Sequence, residues 1–204
     1  MFHKFHLSPI YKKLLLINSV FIIAVSLIVW RVSIQEKRPV VLPIPPEYEV
    51  LTSSSTPLSL SIPIINVEAN VVSVGKTRGG NMAVPEKYED TGWYRYGYGP
   101  GTAGNSVIAG HLDNGGGKPA VFYDLGKLRI DDRVYVTNEA GEKLEFKVTG
   151  MSLYDYKNAP LELIFGPTDK IRLNLITCDG VWLPAEKIYD ERLVVFTEFV
   201  GIVN

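Results

Sequence analysis

Hydrophobic and polar positions are distributed unevenly along this chain of 204 residues. Leu14 to Trp30 is a run of 17 residues without a charge, 14 of them apolar, bounded by Lys12-Lys13 and Arg31. At roughly 1.5 Å of rise per helical residue, such a run reaches about 25 Å, near the lower limit for crossing a bilayer. Trp30 at the interface and snorkelling Lys13 and Arg31 lengthen it. The pattern therefore predicts an uncleaved N-terminal transmembrane anchor, with the span at about residues 14–30 of a segment 1–34. A cleaved signal peptide or a buried helix is the competing reading, although Trp30-Arg31-Val32-Ser33-Ile34-Gln35 offers no small-x-small cleavage site.

Periodicity is lost over residues 35–61, which read as a linker. Pro39, Pro43, Pro45, Pro46, Pro57 and Pro63 crowd this stretch and its border, together with the run Thr52-Ser53-Ser54-Ser55-Thr56. Proline at that density favours extended chain and prevents a helix, as in a stalk.

From residue 62 to 204 the period becomes that of strands. Ile62-Val67, Ala69-Val74, Ser106-Ala109, Arg133-Thr137, Lys143-Thr149, Met151-Tyr156, Ile171-Thr177 and Leu193-Phe199 are short, rich in β-branched and aromatic residues, and separated by Gly, Pro, Asn or Asp. Asn138-Glu139-Ala140-Gly141 between two of them reads as a hairpin turn. Short helical turns are expected near Tyr88-Gly92, Ala120-Leu125 and Leu161-Phe165. Around eight strands with few helices predicts a mainly β domain, a closed barrel or a sandwich.

Charge narrows the function classes. Lys plus Arg number 21 and Asp plus Glu 22, a net charge of −1, so no excess of cations is available for a phosphate backbone. Three Lys precede the span (Lys4, Lys12, Lys13), and Arg31, Lys37 and Arg38 follow it, which leaves the positive-inside rule nearly silent. The short N-terminal tail favours N-inside, with the domain outside. Residues 62–204 hold 15 Lys plus Arg against 19 Asp plus Glu, a net of −4. One Cys excludes an intrachain disulfide, and one Cys with three His leaves little for a zinc site. Glu68, Glu86, Glu89 and Asp90 show no ligand-spaced loop, so no metal and no cofactor is expected.

The chemistry is located by elimination. His3 and His6 precede the anchor, so the domain owns one histidine, His111, and one cysteine, Cys178. Each directly follows a predicted strand, where a rigid sheet holds a side chain at its rim. Arg192 opens the last strand, beyond a connection of residues 179–191. If the strands on either side of that connection pair antiparallel, Cys178 and Arg192 meet at one edge. A cysteine nucleophile needs a thiolate, a proton-transfer group and a donor for the oxyanion, and these three residue types match those roles. An inert buried Cys and a core His remain the bland alternative.

Leu175-Ile176-Thr177-Cys178 resembles the sortase signature TLxTC, with Asn174 in place of its first Thr. Gly110-His111-Leu112-Asp113 is similar to the histidine loop of that family, and Glu191-Arg192-Leu193-Val194-Val195 to its arginine strand. Trp93-Tyr94, Pro100-Gly101, Ala109-Gly110-His111-Leu112-Asp113 and Ala120-Val121-Phe122-Tyr123 look most like the class F (class E/F) branch. The resemblance implies an eight-stranded sortase-type β-barrel with short helices, single-pass in the cell membrane with its catalytic domain extracellular. It implies a cysteine transpeptidase that cleaves an LPxTG-type C-terminal sorting signal between Thr and Gly and joins the protein to an amine on a peptidoglycan precursor or a pilin. Carried over, Cys178 is the nucleophile, His111 the general acid and base, and Arg192 the stabiliser of the substrate carbonyl or oxyanion. Thr177, Asp113 and Trp182 are expected at the substrate: Thr177 as a hydroxyl contact, Asp113 as an orienting group for His111 or a turn cap, and Trp182 as a groove wall or a cap on the core. The non-enzymatic alternative is a membrane-tethered β-barrel binding or assembly module.

Overall fold

The computed structural model describes residues 56–203. The expected span at 14–30, and the expected linker up to residue 55, lie outside the described residues. Eight strands occur in chain order: β1 (Pro57–Ile62), β2 (Val67–Val74), β3 (Thr91–Tyr94), β4 (Gly104–Gly110), β5 (Arg133–Asn138), β6 (Lys143–Asp155), β7 (Ile171–Leu183) and β8 (Ile188–Val203). One short helix, α1 (Leu161–Phe165), precedes β7. The strands close into a barrel in the order β1-β2-β3-β4-β7-β8-β6-β5, with β5 returning to β1.

Alternation of apolar and polar residues decides which face lies inside. Leu60 and Ile62 of β1, Val67, Ala69 and Val71 of β2, Val134 and Val136 of β5, and Leu144, Phe146 and Val148 of β6 point into one core, while their neighbours face outward. β4 breaks this rule because all seven of its residues are buried, and β7 is buried on both faces near its start. The reason is a second, outer cluster. Val107 of β4, Val194 of β8 and Ile164 of α1 pack together there, with Met82, Tyr94, Phe165 and Ile176 around them. Two-sided burial gives a continuous apolar run rather than alternation.

The observed strands differ from the sequence expectation at four places. Ile62-Val67 is not a strand but the corner between β1 and β2: Pro63 opens a 3-10 turn over Pro63–Ile65, and Asn66 takes a left-handed conformation at φ 55°. The barrel begins at Pro57, inside the stretch read as linker, because Leu60 and Ile62 supply two fully buried core side chains. Residues 91–94, partly read as a helical turn, form β3, parallel to β2 and antiparallel to β4. Lys143-Thr149 and Met151-Tyr156 are one strand, β6, which shifts register between Val148 and Gly150 while remaining paired with β8. Such a bulge reads as a break in sequence although the ladder continues. The expected helix at Leu161-Phe165 is present as α1.

Candidate active site

The candidate residues lie on three neighbouring strands: His111 just past the end of β4, but Cys178 inside β7 and Arg192 inside β8, because both strands run on beyond the ends expected from the sequence. β4 and β7 run parallel, with Ala109 beside Ile176, so both strands deliver their C-terminal ends to the same rim: His111 just beyond β4, Cys178 within β7. β8 runs antiparallel to β7, and Arg192 stands directly opposite Cys178 in the ladder. Residues 179–191 are therefore not a loose connection. Both strands continue as a hairpin closed over Pro184–Lys187, with a register shift between Asp179 and Trp182.

Alternation along β7 places Leu173 and Leu175 in the core. By the same parity Thr177 faces inward and Cys178 outward. Thr177 is buried and its hydroxyl has no hydrogen-bond partner. The structure thus puts it on the opposite side of β7 from the thiol, away from the expected substrate contact.

A pocket of about 230 Å³ opens beside Cys178. His111, Leu112, Asp113 and Gly115 form one wall, and Trp182, Lys187, Ile188 and Tyr189 the other, with Tyr88 at the edge. Trp182 is 42% exposed and edge-on to the Tyr189 ring at 5.2 Å, a wall of this pocket rather than a cap on the core. Gly110, the last residue of β4, lets the chain turn into the histidine loop under a buried aromatic ring. A Cβ there would stand 2.5 Å from Cδ2 of Phe122, which is fully buried.

His111 is held on two sides. Its Nε2 lies 2.8 Å from the Pro85 carbonyl oxygen, and its ring meets the Tyr88 ring edge-on at 4.9 Å. A carbonyl only accepts, so Nε2 carries the hydrogen, and in the neutral ring Nδ1 is the nitrogen with a lone pair. Asp113 does not hold His111. Its Oδ1 accepts the Gly115 N–H at 2.7 Å and its Oδ2 accepts the Tyr189 hydroxyl, so of the two expectations for Asp113 the turn cap is the one seen.

Arg192 is opposite Cys178, yet its guanidinium is not among the pocket walls. Nη1 donates to the carbonyls of Tyr189 (2.9 Å) and Glu191 (2.7 Å), and the guanidinium lies over the Tyr156 ring at 5.6 Å. Burial pushes the Cys178 thiol above its ordinary value; the Arg192 charge pulls it back, and the carboxylates of Asp113 and Asp179 add to the rise. Among the described residues no group of three or more His, Cys, Asp or Glu is placed to hold a metal.

Tyr88, Lys187, Ile188 and Tyr189 were not foreseen at the site. Continuing the β7–β8 register beyond Cys178 was the available signal for the last of these, but the shift after Asp179 offsets it by one residue.

Comparison with known proteins agrees with this geometry. A family model described as a sortase domain matches residues 60–200. No curated protein matches the chain. Among solved structures, sortase A from Corynebacterium diphtheriae superposes with a TM-score of 0.56 at 23% identity, covering 72% of this chain and 61% of that one. The present chain therefore spans about three fifths of that relative. Sortase A of Listeria monocytogenes gives a TM-score of 0.56 at 21% identity, covering 73% of this chain and 90% of that one. Sortase C-1 from Actinomyces oris gives 0.56 at 20% identity, covering 70% and 73%. At these identities the structures speak for the barrel alone, whereas the family model extends from β1 to β8 and takes in His111, Cys178 and Arg192: the chain belongs to the sortase family.

Proposed function

We propose that the protein is a cysteine transpeptidase acting on an LPxTG-type C-terminal sorting signal, with Cys178, His111 and Arg192 as its catalytic residues. The observation that carries this reading is the arrival of Cys178 and His111 in one pocket from parallel strands, with Arg192 directly across the ladder from Cys178. The Cys178 thiolate attacks the Thr carbonyl carbon, and His111 gives a proton to the departing Gly amine, leaving a thioacyl enzyme. His111 then takes a proton from the incoming amine as it attacks the thioester. Only Nη1 of Arg192 is engaged by carbonyls, so its other N–H groups remain to donate to the substrate oxygen. Burial keeps the thiol protonated at neutral pH, so the reactive thiolate is a minor form and acylation should speed up as pH rises toward the raised thiol value.

The same reading places the domain outside the cell on an N-terminal anchor, with a peptidoglycan-precursor or pilin amine as acceptor. It assigns the protein to class F on Trp93-Tyr94, Pro100-Gly101, Ala109-Gly110-His111-Leu112-Asp113 and Ala120-Val121-Phe122-Tyr123, while the solved relatives named above are sortases A and C. The test uses the full chain in detergent, an LPxTG-type peptide and a glycine or lysine amine. Mass spectrometry should show a peptide adduct on Cys178 that the amine discharges; Cys178→Ala and His111→Ala should abolish it, and Arg192→Ala should slow it by about 10²–10³-fold. No adduct from a panel of sorting motifs, in a folded protein, would reject the proposal.

A further inference from the structure

Tyr189 touches both halves of the site. Its hydroxyl donates to Oδ2 of Asp113, two residues beyond His111 and 76 positions away in the chain. Its own carbonyl accepts Nη1 of Arg192 at 2.9 Å. The other oxygen of Asp113 is taken by the Gly115 N–H, so the carboxylate is held from two sides. Trp182, cross-strand from Tyr189, backs the phenol ring at 5.2 Å and limits its swing. The β7–β8 hairpin is thereby fastened across the pocket to the loop leaving β4.

We propose that Tyr189 is a positioning residue: its phenol, through Asp113, sets the loop that carries His111, while its carbonyl orients the Arg192 guanidinium beside Cys178. A hairpin only braced by its own ladder would need neither contact. The hydrogen bond to Asp113 pushes the Tyr189 phenol up to about 12, so the hydroxyl stays protonated and donating through the working range of pH. Loss of the hydroxyl frees the histidine loop to shift, and proton transfer to a leaving amine tolerates little displacement. Ground-state binding of the peptide does not depend on that proton.

This inference rests on the transpeptidase reading, and its test is built so that the two can fail separately. Full chains carrying Tyr189→Phe, Asp113→Ala or both are compared with the parent below their melting temperatures, following acyl-enzyme formation against peptide concentration. Each single substitution should lower the maximal rate by about 10- to 100-fold, the scale of a displacement near 1 Å. The half-saturating peptide concentration should stay within about twofold, and the double variant should be no slower than the slower single. Additive losses, or a Tyr189→Phe rate equal to the parent, would overturn the inference. If the parent forms no acyl-enzyme, the transpeptidase reading has failed, and the rate of Cys178 alkylation by iodoacetamide then tests the clasp. Asp113→Ala also removes a charge that disfavours the thiolate, so the clasp is read from Tyr189→Phe. This substitution should change the rate in the parent and make no further change once Asp113 is Ala, whereas no change in the parent, or the same change in both backgrounds, overturns it.

Discussion

At Cys178 three influences compete on one proton. Desolvation pushes the thiol up from 9.0, the Arg192 guanidinium opposes this, and the carboxylates of Asp113 and Asp179 reinforce it. Asp113 thus has two effects of different kind: its oxygens hold the Tyr189 hydroxyl and the Gly115 N–H, and its charge disfavours the thiolate. Asp113→Asn separates them. The amide keeps an oxygen for Gly115 and presents an N–H₂ to the Tyr189 oxygen, which accepts as readily as it donates. Removing a negative charge removes one cause of the rise, so the Cys178 pKa should move down and the thiolate fraction at neutral pH should increase. Iodoacetamide alkylation followed from pH 6 to pH 10, a window of about four units around the ordinary thiol value, reads this directly. An unchanged or higher midpoint would show that Asp113 acts on the thiol only through shape.

Among the elements, α1 is tied to the sheet by polar contacts from beneath. Asn174 of β7 donates through Nδ2 to the Ile164 carbonyl (2.7 Å) and to Oδ1 of Asn105 (3.3 Å), and Asn105 in turn donates to the Gly166 carbonyl (2.8 Å). All of this lies in buried surroundings, over the outer strip where Ile164 packs on Val107 and Val194. The residue that departs from the TLxTC signature is therefore the tie between β7 and the helix before it. Asn174→Ala leaves the Ile164 carbonyl and the Asn105 oxygen without that donor, at a cost of about 1–3 kcal/mol. Chemical denaturation should show a lower midpoint at unchanged m-value; a midpoint equal to the parent would mean that α1 docks by its apolar face alone. That network was not legible in the sequence, since Asn105 and Asn174 are 69 positions apart and the signature around Cys178 says nothing of a partner for Asn174. Cys178, His111 and Arg192 were legible for a local reason: each ends or begins a run of β-branched and aliphatic residues, and the order of those runs in one sheet places them at one rim. Tyr189 was not, because the bulge after Asp179 breaks the register that would have carried the eye from Cys178 along the hairpin.

At the scale of the whole molecule, the mainly β class could be read from alternation, which left a barrel and a sandwich both open; the barrel followed from the resemblance to sortases, and where it closes could not be read. β3 was hidden because it has only four residues, one of them Gly92, and its place is set by pairing with β2 and β4 on either side. β1 was hidden by its setting in a proline- and serine-rich stretch, where the alternation of Leu58, Leu60 and Ile62 with serine lasts only six residues before Pro63. Yet β1 joins the two ends of the sheet, antiparallel to β2 on one side and to β5 on the other. A chain beginning at residue 62 would lose Leu60 from the core and leave β2 and β5 as open edges. Loss of one buried leucine costs about 2–5 kcal/mol, and the two unmade ladders add to it, against a total stability of about 5–15 kcal/mol for a domain. Open apolar edges also invite pairing between molecules. The chain 56–204 should therefore melt in one cooperative transition, whereas 62–204 should lack that transition, bind an apolar dye and aggregate on concentration. Cooperative melting of 62–204 within a few degrees of 56–204 would show that the seven remaining strands close without β1, and that the core is held from β2 onward.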